Sequence, residues 1–411
     1  MLAAVALAMI AASGLRSVFG VYIKPMEAEF GWSRSMLSSV AAVSLLLLGA
    51  TGPIVGRLAD RWGPRRVILI ALLVAGVGAI ATAFVHTLWQ VYLTVAVLMT
   101  LGAGSVSMMT AAALIVRWFE THRGLVMGVV GGAMSAGQLV IFPLATALTV
   151  WWSWRASFAC FGVVVLVVFL PLAVAFIRNG PEERGLRAVG ARGPATSAAQ
   201  RADAALAGRV SVFEAARSPQ FWLLTASYSV CGYTANGIVL THFMPHAVEH
   251  HFTPFQASSA LGVMGAMNIV GTVLSGWLCD RIGRRGPLAT YYFVRGLSLL
   301  LLLYVWDSRS LHVWAALFGL NYISTVPATT AMTANIFGTY SVGELSGWIT
   351  FGHQVGAALG AVAAGWIYES TGSYSSAFVS AALLAFLAAG LTLLIRDEPL
   401  GSTPTPSPAP A

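Results

Sequence analysis

The sequence predicts an all-α membrane protein of twelve transmembrane helices in two six-helix bundles. Three observations carry that expectation. The 411 residues are 57% hydrophobic and only 9% charged. Apolar runs long enough to span a bilayer recur from end to end, and one polar motif occurs twice, after the second run and after the eighth. A soluble domain carries about 25% charged residues, so this surface is not made for water. Crossing ~30 Å of hydrocarbon takes about twenty apolar residues, and residues 67–85 and 377–395 are two such runs.

Taken in order, the runs place helices at about 2–23, 35–56, 67–86, 91–116, 124–147 and 156–177 in the first half. Those of the second half fall at about 219–243, 255–278, 287–305, 311–336, 345–367 and 375–395. The first run is too long for the apolar core of a cleaved leader and has no basic residues ahead of it, so it reads as a retained span. Between bundles 1–178 and 219–397, residues 179–218 are polar, rich in Gly, Ala and Arg, and lack apolar periodicity. They read as a linker with a short surface helix near Ser211 to Arg217. The Pro/Ser tail 398–411 reads as disordered.

A net charge of +8 could suggest nucleic acid, but the distribution of the basic residues argues for topology instead. With the N-terminus inside, seventeen Lys and Arg face the cytoplasm and four face out: Lys24, Arg34, Arg155 and Arg309. That asymmetry places both termini in the cytoplasm of an inner-membrane protein. Cys160, Cys231 and Cys279 show neither metal nor disulfide spacing and read as packing residues.

The repeated motif runs Gly56-Arg57-Leu58-Ala59-Asp60-Arg61-Trp62-Gly63 and Gly276-Trp277-Leu278-Cys279-Asp280-Arg281-Ile282-Gly283, each closing on paired Arg. Gly56 and Gly276 let helices approach closely. Asp60 and Asp280 can pair with Arg or cap the next helix. A merely basic loop would explain the Arg residues but not the duplicated Gly and Asp. Gly56, Asp60, Arg61, Gly276, Asp280 and Arg281 are therefore expected to form the conformational gate. The pattern resembles the signature loop of the major facilitator superfamily, and the resemblance covers the whole chain.

Five further stretches resemble the monocarboxylate porter and oxalate/formate antiporter branch. They span residues 14–35, 117–128, 241–252, 321–338 and 347–374. The resemblance implies a carrier of small organic anions, working with a proton or by exchange, with its substrate between the two repeats and a single chain sufficing. Where porters of this branch place an acid or amide and then an Arg in the eighth helix, this chain has Asn268 and Thr272. Where exchangers place Lys in helix eleven, it has His353.

Charge inside a membrane is costly and so informative. No Asp or Glu lies deep in any expected helix, whereas Arg16 and Arg295 do. Fixed cations without fixed acids favour an anion, and a guanidinium matches a carboxylate bidentately. Arg16 is the leading substrate contact; the alternative is an Arg snorkelling to the surface. For Arg295 a structural role bonded to carbonyls is the stronger alternative. His353 is a candidate substrate and proton-coupling group, against a histidine satisfied by a neighbouring helix. Tyr233, Asn236, Asn268, Asn321 and Tyr322 complete the candidates, as polar groups that orient a ligand in an apolar pocket. His242, His246, His250 and His251 read as an interfacial polar turn rather than a metal site.

The residues thus point to a secondary carrier of small organic anions, with proton symport the expected coupling and exchange or uniport open. A drug or metabolite exporter is the rival reading. No P-loop, nucleophile–base pair or cofactor motif stands out, so neither an enzyme nor a cofactor is expected.

Overall fold

The computed structural model describes residues 1–119, 123–187, 189, 210–338 and 342–398, and these are helical apart from turns and one isolated bridge, Phe119 to Val189. The linker residues 188 and 190–209 and the tail from 399 lie outside the described residues. Among the described residues the helices group, in chain order, into rods α1 to α12. The first part holds α1 (Leu2–Phe30), α2 (Arg34–Trp62), α3 (Pro64–Thr82), α4 (Leu88–Ile115, running on to Trp118), α5 (Arg123–Trp151) and α6 (Trp154–Phe176). The second holds α7 (Pro219–Gly232, Tyr233–Leu240 and Thr241–Glu249 in series), α8 (Pro254–Ile282), α9 (Arg285–Leu302), α10 (Ser308–Tyr322 and Thr325–Phe337), α11 (Val342–Thr371) and α12 (Ser375–Leu394). Among the described residues, eight helices are long and apolar enough to cross a membrane.

Local chemistry sets the rod ends. Ser33, Ser153, Ser218 and Thr253 accept backbone N–H groups at the starts of α2, α6, α7 and α8, and Pro64, Pro219 and Pro254 occupy first-turn positions where no N–H is needed. Gly63 and Gly283, the last glycines of the two motif copies, stand at φ 83° and 85°. That left-handed region is cheap only for glycine, so the repeat is one of backbone shape as well as letters. The short helix expected near 211–217 is present as Val212–Ala215, capped by Ser211.

Several rods run past their expected ends or break inside. α1 continues to Phe30 and α7 to Glu249 because their polar last turns remain helical. α4 breaks at Val106–Ser107, and its Tyr92–Met99 stretch is a π-helix. α6 and α7 carry further π-helices, at Val165–Phe169 and Tyr233–Leu240. α10 is interrupted at Ile323–Ser324.

The two parts meet along α2 against α11 and α5 against α8. Within the second part, glycine brings rods to backbone contact: a Cβ at Gly232 would run into the His353 carbonyl, one at Gly356 into Ser229, and one at Gly271 into Leu320. Gly271→Ala should therefore lower stability by about 1–3 kcal/mol, the usual cost of overpacking, seen as a lower thermal midpoint in detergent. Gly390→Ala, where a Cβ meets nothing within 4 Å, should be neutral or slightly stabilising.

Candidate functional site

A cavity of about 60 Å³ lies between the two parts, walled by α1, α2, α4, α6 and α7. Its polar lining is Arg16, Ser17, Ser44, Thr100, Asn236 and Thr241; the rest is apolar. Arg16 is half-buried, and among the described residues its guanidinium makes no hydrogen bond or ion pair. A cation set in an apolar wall without a partner attracts an anion strongly, because the low dielectric magnifies its field.

Around Arg16 lie two hydrogen-bonded polar pairs, one in each part. Gln138 of α5 donates to Ser17 (3.3 Å), and its amide oxygen is buried without a partner. The Tyr322 hydroxyl donates to Asn236 Oδ1 (2.9 Å) and is the electrostatic neighbour of Arg16 from the second part. Ser17 was not singled out by the sequence, since a serine beside the key cation carries no spacing signal.

The remaining candidates separate. Arg295 is fully buried and its donors are taken: Nη2 by the Asn321 and Tyr322 carbonyls (2.6 and 2.8 Å), Nη1 by Cys231 Sγ (2.8 Å) and Thr234, Nε by Asn321 Oδ1 (3.4 Å). Its role is to hold the break of α10 against α7, so the reading of Arg295 as a substrate contact gives way to the structural one. Asn321 is used in the same network. Asn268, fully buried, donates to Ser135 (2.7 Å) and accepts from the Ile323 N–H (3.0 Å); it ties α8 to α5 and caps the broken helix rather than facing the cavity. Tyr233 is half-buried within the π-helix. His353 packs on the Tyr228 ring at 4.6 Å and its Nδ1 is buried without a partner.

At one end the two parts are locked together by a cluster that sequence spacing does not reveal. Arg34, only 5% exposed, bonds to Glu27 on α1, to Glu249 on α7 (3.0 Å) and to the Tyr374 hydroxyl, and lies over the Tyr368 ring (4.3 Å). Lys24 shares Glu249 (3.2 Å). Ser35 donates from both N and Oγ to Glu369 (2.9 and 2.6 Å). Hydrogen bonds from Ser33 and Ser35 hold the Glu369 carboxyl below the ordinary glutamate range, so this tie is intact at neutral pH and is lost only as pH falls through that lowered value. His242 and His246 are buried, not interfacial as expected: His242 sits between the Ala361 carbonyl (2.8 Å) and the Tyr374 hydroxyl (3.1 Å). Pairing Arg34 with Glu249 requires contacts 215 residues apart, which no local pattern encodes.

At the opposite end, Arg61, Asp280 and Arg281 are exposed, Arg281 lies over the Trp277 ring (5.2 Å), and a Cβ at Gly276 would meet nothing within 4 Å. The side chains of Gly56 and Asp60 lie outside the described residues.

The family model of the Major Facilitator Superfamily matches residues 5–320 and 247–411. The chain belongs to that superfamily. It is similar to the uncharacterized MFS-type transporter YcxA of Bacillus subtilis (strain 168), 27% identical over 94% of this chain and 91% of the relative. It is also similar to monocarboxylate transporter 13 of Rattus norvegicus, 26% identical over 93% and 84%. A bacterial homolog of the human lysosomal transporter Spinster, solved in an inward-facing, unoccupied conformation, has the same fold, with a TM-score of 0.76, 15% identity and 96% of both chains covered. The chain is thus a multi-pass membrane protein of a transporter family.

Removing the Arg34 charge leaves Glu27 and Glu249 without their shared partner, and breaking such a pair costs about 3 kcal/mol. Spin labels at Phe84→Cys and Tyr304→Cys, both exposed at that end, should report one short distance in the parent. A second, longer population should appear on adding Arg34→Gln; an unchanged distance would show that the cluster does not hold this end shut.

Proposed function

We propose that the chain is a secondary carrier of small organic anions, monocarboxylates foremost, that works by alternating access with a proton as the coupled ion. The observation that carries this reading is the unpartnered guanidinium of Arg16 on the wall of the central cavity. A substrate carboxylate would supply the missing counter-charge bidentately, while Asn236, Tyr322 and Ser17 offer an amide and hydroxyls to orient the rest. The similarity to relatives named monocarboxylate transporters supports the same class. Proton coupling is assigned to His353, a buried ring of α11 whose Nδ1 lacks a partner.

In this reading all twelve rods cross an inner membrane, with both termini cytoplasmic, as two bundles (1–178 and 219–397) joined by the linker 179–218. One chain suffices, and the bilayer is its medium. The Arg34 cluster closes the outer face, and the helix ends Gly56–Arg61 and Gly276–Arg281 form the inner gate. An anion exchanger or a metabolite exporter is separated from this by the same assay.

Purified protein in proteoliposomes should take up labelled small carboxylates faster under an inward proton gradient. Arg16→Gln should cut uptake by about 10–100-fold, the range expected for losing hydrogen bonds to a charged group. Arg16→Lys, which keeps the charge but not the fork, should fall between. Counterflow indifferent to the gradient would indicate exchange. Uptake unaffected by Arg16→Gln would remove the site from Arg16.

A further inference from the structure

A second cavity, of about 340 Å³, lies beside the Arg34 cluster between the last turns of α1 and α7, the end of α5 and Pro254 at the start of α8. Most of its wall is apolar, including Val21, Val150, Met244 and Val248. Two groups stand out. Thr146 is 1% exposed and its hydroxyl has no hydrogen-bond partner; the Thr149 hydroxyl, one turn on, is likewise buried without one. Threonines in helices ordinarily bond back to a preceding carbonyl, as Thr82 does to Gly78 and Thr392 to Ala388. Two on one helical face both fail to do so, and both residues line one cavity, so that a turn of either side chain about χ1 presents a free hydroxyl to an acceptor inside it. Lys24 lies on the same wall, with its ammonium 3.2 Å from Glu249.

The second cavity adjoins the first. Gly20 lines both, and there α1 meets α7 so closely that a Cβ would lie 2.8 Å from the carbonyl oxygens of Leu240 and Thr241. The partition is one backbone-to-backbone contact.

We propose that this cavity is an outer binding site for the carrier's own class of ligand, an amphipathic monocarboxylate. The Thr146 and Thr149 hydroxyls donate to its carboxylate, Lys24 supplies charge in exchange for Glu249, and the apolar wall holds its body. The inference rests on the anion-carrier reading and adds a station on the closed side of the Gly20 partition, where ligand waits outside the central site. Exchange of Lys24 from Glu249 to ligand would also loosen the cluster that shuts this end, so occupancy and opening are linked.

Equilibrium binding of labelled phenylacetate to the purified full chain in detergent tests this. The parent should bind two molecules, and Arg16→Gln should remove one. Thr146→Trp, which fills the outer cavity, should remove the other. Thr146→Val, which keeps the shape, should weaken that other site about ten-fold, as for one lost hydrogen bond to a charged group. A parent that binds one molecule, lost in Arg16→Gln and untouched by either Thr146 variant, overturns the outer site and leaves the carrier reading standing. A Thr146-dependent site that persists when Arg16→Gln changes nothing supports the outer site and faults the central one. Absence of phenylacetate binding overturns the outer site. So does a co-purified phospholipid that phenylacetate does not displace and Thr146→Trp releases, since the cavity is then a lipid seat.

Discussion

A guanidinium inside a low-dielectric interior must find compensation, and in this chain the sequence places no acid deep in the rods to provide it. The three interior arginines solve that constraint differently, and the differences organise the molecule. Arg295 is met by dipoles: two carbonyls at the end of the first half of α10, an amide oxygen, a hydroxyl and a thiol. Helix C-terminal carbonyls carry partial negative charge, so the break in α10 is what allows a fully buried cation there. Arg34 is met by true charges, Glu27 and Glu249, one from each part of the chain. Arg16 is met by nothing among the described residues. The first arginine is compensated by backbone and side-chain dipoles, the second by acids from both parts, and the third by no described group.

The irregular backbone follows the same logic. Exposed N–H and C=O groups are not tolerated in hydrocarbon unless protein or a cavity satisfies them. At the α10 interruption, Asn268 accepts the freed Ile323 N–H and Arg295 takes the adjacent carbonyls. The π-helix of α7 contributes Asn236 and Leu240 to the cavity wall and Ala235 and Ile238 to the buried core. Part of the irregularity thus borders the central cavity, where the π-helices of α4 and α7 supply Val95, Met99, Asn236 and Leu240, and the glycine contacts of α11 against α7 supply close packing beside it.

The all-helical class, the superfamily, the rod order and the short helix near 211–217 were legible from apolar run lengths and the repeated motif, because both are local and the bilayer fixes run length. Rod ends were less legible. The polar turns 24–30 and 244–249 remain helical through contacts with each other and with Arg34, which hydropathy does not register. As cavity-wall residues, Arg16 could be read because a deep cation is costly anywhere and Asn236 because α7 forms part of the wall, whereas Tyr322 lies off the wall and reaches it through Asn236. Arg295 and Asn268 carried the same signal for a different use: a buried polar residue announces a hydrogen-bond demand but not whether protein or ligand meets it. Arg34, His242 and Thr146 were invisible for the converse reason, since their meaning depends on partners, or on the lack of them, supplied by distant segments.

The polar ties at the two ends are unlike. At the Arg34 end, two acids and two bases from both parts interlock with Tyr374 and His242, with Arg34 buried at the centre and its acids half-buried around it. Such a cluster is strong only while complete, because removing one member leaves a charge without compensation. At the other end the motif residues Arg61, Asp280 and Arg281 lie in the open, where ion pairs are worth about 1 kcal/mol or less and form or dissolve at small cost. A carrier that alternates needs its two closed states to be of similar energy. A compact lock on one face can be balanced on the other by weak surface contacts such as Arg281 over Trp277 and Arg284 with Asp397, at the helix end that carries the second copy of the motif. The asymmetry between the ends therefore follows from where each set of charges sits relative to water, rather than from any difference between the repeats that carry them.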